Sequence, residues 1–259
     1  MLLGDSMISL AVALSFLTIL PVPARTWRSR TLVGHALSWF PFVGLVLGGM
    51  LALAALGLGT VLPPAVVAAL VLTLGVLLTG GLHLDGLIDS CDGLFCVRSP
   101  EQRLAIMRDS HTGAFGVLGA VCLLLIKFAA LFALVAGDQR LVLGGLVLAP
   151  VLSRWAMVIA AVGFPYGRPG PSLGSSFHEG AGRFQLAAAS LSALLVVMLV
   201  SSTLQIGLWM GLATLVSTAM LTVLLARFAL RRLPGLTGDI YGATNEVIEA
   251  IVLVVFTVQ

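Results

Sequence analysis

The stretch A-F-G-V-L-G-A-V-C-L-L-L-I-K-F-A-A-L-F-A-L-V-A, residues 114–136, carries one charge, Lys127, in twenty-three residues. About 20 mostly apolar residues cross the hydrocarbon core of a bilayer as a helix, so this run predicts a membrane span. Runs of the same kind lie near 7–24, 33–59, 62–83, 141–163, 185–203 and 205–226, with a shorter stretch at about 244–259 as a candidate eighth. The whole chain of 259 residues agrees with them: 59% hydrophobic, 10% charged, mean hydropathy +1.11. A soluble domain carries roughly 25% charged residues and would lack its polar surface at this composition. The runs are continuous instead of alternating in short segments, which excludes a β-barrel. The expected fold is all-α, a polytopic membrane helical bundle of seven to eight spans. One membrane-embedded domain over 1–259 is expected, because no connection is long enough for a soluble one.

The charges are distributed unevenly. Connections near 25–31, 84–113, 164–184 and 227–246 hold eleven of the fourteen basic residues. The opposite connections hold only Arg140. By the positive-inside rule the basic loops are cytoplasmic and the N-terminus is outside, as is the C-terminus if there are eight spans. The start, M-L-L-G-D-S-M-I-S-L, has an acid and no basic residue before Arg25, which argues for a first segment retained in the membrane. Cys91, Cys96 and Cys122 fit no disulfide or zinc pattern. No nucleic-acid partner is expected. Oligomeric state stays open, a homo-oligomer included, since small residues pack helices within and between chains alike.

Five of the eleven acids fall within twenty-five residues: Asp85, Asp89, Asp92, Glu101 and Asp109. Asp85, Asp89 and Asp92 stand at i, i+4 and i+7, so a helix continuing from the third span would put them on one face. Carboxylates crowded beside a membrane repel, and a divalent cation relieves the repulsion. All-oxygen ligation favours Mg²⁺, with Mn²⁺ the alternative, and Mg²⁺ commonly completes its shell with substrate phosphates. Arg103 and Arg108 suit the remaining phosphate oxygens, although basic residues here also serve as plain membrane anchors. The bland reading of the acids is a solvated face.

The stretch G-G-L-H-L-D-G-L-I-D-S-C-D-G-L-F (80–95), followed by I-M-R-D-S-H-T-G-A-F-G (106–116), closely resembles the cobalamin synthase, or adenosylcobinamide-GDP ribazoletransferase, family. F-L-T-I-L-P-V-P (16–23), F-P-F-V-G-L (40–45), S-R-W (153–155), F-P-Y-G-R-P (164–169) and L-T-G-D-I-Y-G-A-T-N-E (236–246) are similar too, so the resemblance covers most of the chain. Cys91 departs from the small or Thr-like residue expected between the aspartates and leaves their spacing intact. The resemblance implies a Mg²⁺-dependent transferase of the bacterial cytoplasmic membrane. Its partners would be adenosylcobinamide-GDP and α-ribazole or its 5′-phosphate, with GMP released and the active site facing the cytoplasm. The ribazole 3′-hydroxyl would attack the phosphorus on the cobinamide side, a reaction that needs charge neutralisation and a base.

On this reading Asp85, Asp89, Asp92 and Glu246 are the expected metal ligands. Asp109 is expected either to complete the metal site or to act as the base, with His111 the alternative base, and Arg154 is the expected catalytic cation. His83, Arg103, Arg108, Arg168, Asp239 and Asn245 are expected to bind substrate. The bland alternatives are a structural hydrogen bond for His83, a buried salt bridge for Arg154, and a cap on the last helix for Asp239 and Glu246. Lys127 reads as a snorkelling or helix–helix residue. Two other functions compete. A CDP-alcohol phosphotransferase would share D-S-C-D-G but would need an aspartate where Gly113 stands. A secondary transporter would place its ionisable groups at the midplane of repeated halves.

Overall fold

The computed structural model describes residues 3–21, 30–168 and 173–258. Twelve helices run through them in order: α1 Leu3–Leu17, α2 Arg30–His35, α3 Phe40–Gly59, α4 Pro64–Leu78, α5 Leu82–Phe95, α6 Pro100–Ile106, α7 Ala114–Val135, α8 Gln139–Gly163, α9 Leu173–Glu179, α10 Arg183–Leu204, α11 Leu208–Leu230 and α12 Gly238–Thr257. Six are long and apolar enough to cross a membrane: α3 with the turns before it, α7, α8, α10, α11 and α12. This is a polytopic helical membrane bundle, as the composition requires. Its last span starts at Gly238, several residues before the expected 244, and so draws Asp239 into a helix. α1 is a shorter apolar helix. Arg25, Arg28 and most of the stretch after Leu20 lie outside the described residues.

The third expected span is corrected. Residues 62–83 do not form one helix that runs on into the acids: α4 ends at Leu78, and α5 leaves it at 88°. The break is built by Gly80 and Gly81, with φ of 61° and 72°, a left-handed backbone that only glycine adopts at little cost. Their N–H groups close on the carbonyls of Leu77 and Val76 at 3.0 and 2.9 Å, ending α4 with its last turn satisfied. At 14 residues with three aspartates, α5 is not a span by itself. The bend swings the acids out of the membrane helix and under the loops.

α8 is the hub, packed by α3, α10, α11 and α12 and buried along most of its length. Close approach depends on glycine at the crossings. A Cβ on Gly44 would stand 2.4 Å from the Pro150 carbonyl oxygen of α8, whereas Gly49, one turn on, faces open space. Gly44→Ala should therefore lower stability by about 1–3 kcal/mol through forced separation of two backbones. Thermal unfolding in detergent, with Gly49→Ala as control, checks this; equal melting of the two variants would refute it.

α5 meets α12 at a similar crossing. A Cβ on Gly86 would be 3.0 Å from the Asp239 carbonyl oxygen, and one on Gly242 would be 3.2 Å from that of His83. The acid-bearing helix is thereby laid on the start of the last span. A parallel bridge between Tyr166 and Leu236 fastens the two remaining loops, with Gly167 N donating to Leu236 O and Leu236 N to Pro165 O, both at 2.8 Å. The basic, acid-rich connections around 84–113, 164–168 and 233–239 thus converge at one end of the bundle.

Candidate active site

A cavity of about 280 Å³ opens where α5, α12 and the 164–168 loop meet. Its lining carries Asp85, Arg168 and Asp239, with Tyr166 and the more deeply buried His83 and Tyr241. Arg168 is fixed there by two bonds: Nη2 donates to the Met107 carbonyl at 3.0 Å and to Asp239 Oδ2. The Thr237 hydroxyl donates to the same carboxylate at 3.3 Å, and Thr237 also caps α12. One guanidinium therefore ties together the loop after α6, the loop after α8 and the first turn of α12.

Asp85 and Asp89 lie one turn apart on α5, and no hydrogen bond to a described residue occupies either carboxylate. Asp89 is half-buried, and burial is the largest influence on it. The negative charges of Asp85 and Asp239 add to that, Arg168 opposes, and the net effect pushes its pKa up to about 6.

Asp92 lies on the same stripe but has a different duty. It is buried, and its oxygens accept the backbone N–H groups of Gly113 at 2.7 Å and Gly116 at 2.8 Å. It is therefore the anionic cap of α7, satisfying N–H groups that the helix itself cannot. A Cβ on Gly113 or Gly116 would come within 2.4 Å of its oxygens, so both glycines admit the carboxylate. Glu246 is likewise not beside Asp85. It sits deep in the bundle, paired with Lys127 Nζ at 2.7 Å. The four expected metal ligands do not form one shell, and no group of three or more His, Cys, Asp or Glu among the described residues stands ready for a metal.

The comparisons with known proteins can be set on this geometry. Residues 9–257 match the family model described as Cobalamin-5-phosphate synthase. The chain belongs to that family. Among its relatives is the adenosylcobinamide-GDP ribazoletransferase of Desulfitobacterium hafniense (strain Y51), 42% identical over 248 residues and 96% of both chains. The protein of the same name from Roseiflexus sp. (strain RS-1) is 41% identical over 95% of this chain and 88% of its own. That from Syntrophobacter fumaroxidans (strain DSM 10017 / MPOB) is 42% identical over 93% and 94%. No solved structure matches this chain.

Within this cobalamin-5-phosphate synthase family member, the other expected residues divide by location. His83, Arg168 and Asp239 are brought to the cavity with Asp85. Arg103 is instead the C-terminal cap of α5, its Nη1 donating to the carbonyls of Gly93 and Leu94 at 2.9 and 2.6 Å. Arg108 is exposed on the loop after α6. Asp109 and His111 are exposed as well and hold each other at 2.6 Å. That bond keeps the Asp109 carboxyl below its ordinary range and the imidazole above its own. Neither lines the cavity.

Arg154, the expected catalytic cation, lies away from the cavity lining as a buried ion-pair partner. It is 2% exposed, pairs with Glu249, and its Nη1 donates to the Ser153 hydroxyl at 3.0 Å. Glu249 also accepts from Lys127 at 2.7 Å, and the amide of the wholly buried Asn245 points to it at 3.5 Å. Two lone cations in apolar spans must find anions; the i, i+3 pair Glu246 and Glu249 was the available signal. The apolar lining of the cavity, Phe16, Phe40, Met157 and Phe177, is what sequence reasoning missed, since aromatic residues are unremarked in such a chain.

Proposed function

We propose that this chain transfers the adenosylcobinamide phosphate group of adenosylcobinamide-GDP to α-ribazole or its 5′-phosphate, giving adenosylcobalamin or its 5′-phosphate and GMP. The observation that carries this is the family match over 9–257, coinciding with a cavity whose lining joins Asp85, Asp239 and Arg168. In the reaction, an oxygen of the acceptor sugar bonds to the cobinamide-side phosphorus as the bond to the GMP oxygen breaks. Arg168, charged and held in place, takes phosphate oxygens. Asp239, with Oδ2 engaged by Arg168 and Thr237, is the carboxylate placed to accept the hydroxyl proton. Asp109 and His111, exposed and outside the cavity lining, take no part in this reading.

Asp85 and Asp89 fit an oxygen-seeking divalent cation, because they are unbonded carboxylates that repel each other, and substrate phosphate and water would complete its shell. Such a cation would neutralise charge on the diphosphate. The family resemblance and the gathering of basic loops at one end support an inner-membrane protein acting at the cytoplasmic face.

The test is GMP release and corrinoid formation by protein in liposomes, with and without Mg²⁺, across pH. Both products should form together and stop in chelator. Below about pH 6 the proton on Asp89 competes with the metal, so the Mg²⁺ needed for half-maximal rate should rise steeply between pH 7 and pH 5. Turnover that persists in chelator would remove the metal from the reading. CMP release from a CDP-lipid, without corrinoid product, would replace the function altogether.

A further inference from the structure

A second cavity, also of about 280 Å³, lies against the face of α5 opposite the acids. There α5 contributes Leu87, Ser90, Cys91, Leu94 and Phe95, about half a helical turn round from Asp85, Asp89 and Asp92. α12 packs on α5, α7 and α11, but α7 and α11 are not packed on each other, and the groove is the gap between them. It opens on the outside of the bundle, where Phe95, Cys122 and Ile126 are exposed. No charged side chain enters it, and the Thr244 hydroxyl in its wall is bonded to the Ile240 carbonyl at 2.7 Å. At one end the character changes within a single contact. Phe95 and Phe228 meet there at 6.1 Å, and the Arg232 guanidinium lies 4.0 Å over the Phe228 ring. Arg232 stands at i+4 from Phe228 and i+3 from Ala229, so it continues the face of α11 that lines the groove. It has no ion pair with a described residue. Arg227 and Arg231 are exposed in the same stretch, and no acid occurs between Glu179 and Asp239.

We propose that this groove binds one anionic phospholipid of the surrounding bilayer, with an acyl chain between α7 and α11 and its phosphate on Arg232. A nucleoside or nucleotide would strand its polar edges in such a lining, whereas a hydrocarbon chain has none to satisfy. The volume falls just below the roughly 300–1,000 Å³ of pockets that enclose a whole small molecule; it suits one chain with the headgroup left outside. A guanidinium held against a ring keeps its plane and offers its free N–H edge to phosphate oxygens. Arg227 and Arg231 add positive charge at headgroup level, which favours a lipid of net negative charge over a zwitterionic one. Bound there, the lipid backs α5 on the side away from Asp85 and Asp89. The site is separate from the cavity assigned to the reactants and does not depend on that assignment.

Photo-crosslinking of the full chain tests this. The protein is reconstituted in phosphatidylcholine vesicles carrying a trace of phosphatidylglycerol with a diazirine on one acyl chain, and the crosslinked peptides are mapped. Crosslinks should gather on residues 119–126 of α7 and 225–229 of α11, which line the groove. Unlabelled phosphatidylglycerol in large excess should displace most of the probe by mass action, and the same amount of added phosphatidylcholine should not. Arg232→Gln should lower the groove yield about fivefold, the effect of one arginine near an anionic headgroup. Arg232→Lys, which keeps the charge but loses the planar fork, should lower it about twofold. Ala243→Phe, placed to fill the groove, should abolish the groove crosslinks and leave those on other outer faces unchanged. Equal displacement by phosphatidylcholine would mean boundary lipid only and overturns the proposal. So do crosslinks spread evenly over the outer faces, or a groove yield that Arg232→Gln does not move. If Ala243→Phe does not fold, the competition and the two Arg232 variants decide.

Discussion

Asp89→Asn should lower the rate of corrinoid formation about 10²–10³-fold, the loss typical when one preorganised charged group is removed from a reacting phosphate or oxyanion. Asp89 is half-buried with no hydrogen bond to a described residue, so the fold does not depend on its charge. The substitution even relieves the repulsion from Asp85 and Asp239 that raises its pKa. Melting should therefore stay the same or rise while activity collapses. Asp92→Asn should behave in the opposite way. It weakens the anionic cap that holds Gly113 N and Gly116 N, costing about 1–2 kcal/mol of stability, while the folded fraction keeps activity within about tenfold, short of a direct loss at the reacting group. Measuring rate and unfolding for both variants in one detergent separates them. If Asp92→Asn is the inactive, well-folded protein and Asp89→Asn the unstable one, the division of labour along α5 is wrong.

Glu249→Gln should be the most damaging single change to the bundle. Glu249 answers both Lys127 and Arg154, which are 4% and 2% exposed. Removing its charge leaves two buried cations with Glu246 as their only carboxylate in the network. Breaking a buried pair from one side costs about 3–5 kcal/mol, because an uncompensated charge stays behind. Glu246→Gln should cost less, since Lys127 and Arg154 both keep Glu249. Removing both partners, Arg154→Met with Glu249→Gln, should recover part of the loss, and the double-mutant cycle gives the coupling. A Glu249→Gln protein that melts like the wild type would mean the network is open to water and carries no such penalty.

These two cases also mark how far the residues could be read in advance. The i, i+4, i+7 spacing of Asp85, Asp89 and Asp92 correctly implied a shared stripe, because helical phase is a local property. It could not reveal that the start of α7 covers one end of that stripe, since Gly113 lies 21 residues beyond Asp92 and is brought there by packing. The Gly80–Gly81 pair was visible as a weak point for a helix. Its consequence, an 88° turn, followed only once both residues took positive φ and α5 settled on α12.

What the sequence determined by itself was the solvent and the chemistry. Continuous apolar runs dictate a helical membrane bundle, because backbone groups in lipid must bond within their own segment. The scarcity of acids and their gathering in 85–109 located the polar end, and the motifs named the family. Partner choice was decided by tertiary structure alone. Lys127 and Glu249 are separated by 122 residues and Arg154 and Glu249 by 95, and nothing in local periodicity selects one buried anion over another. The same holds for the cavity, whose walls come from helices at both ends of the chain and from the loop between α8 and α9. Side-chain phase is set within a turn of helix, whereas which faces meet depends on how close the backbones can come, and here glycine at the crossings sets that distance.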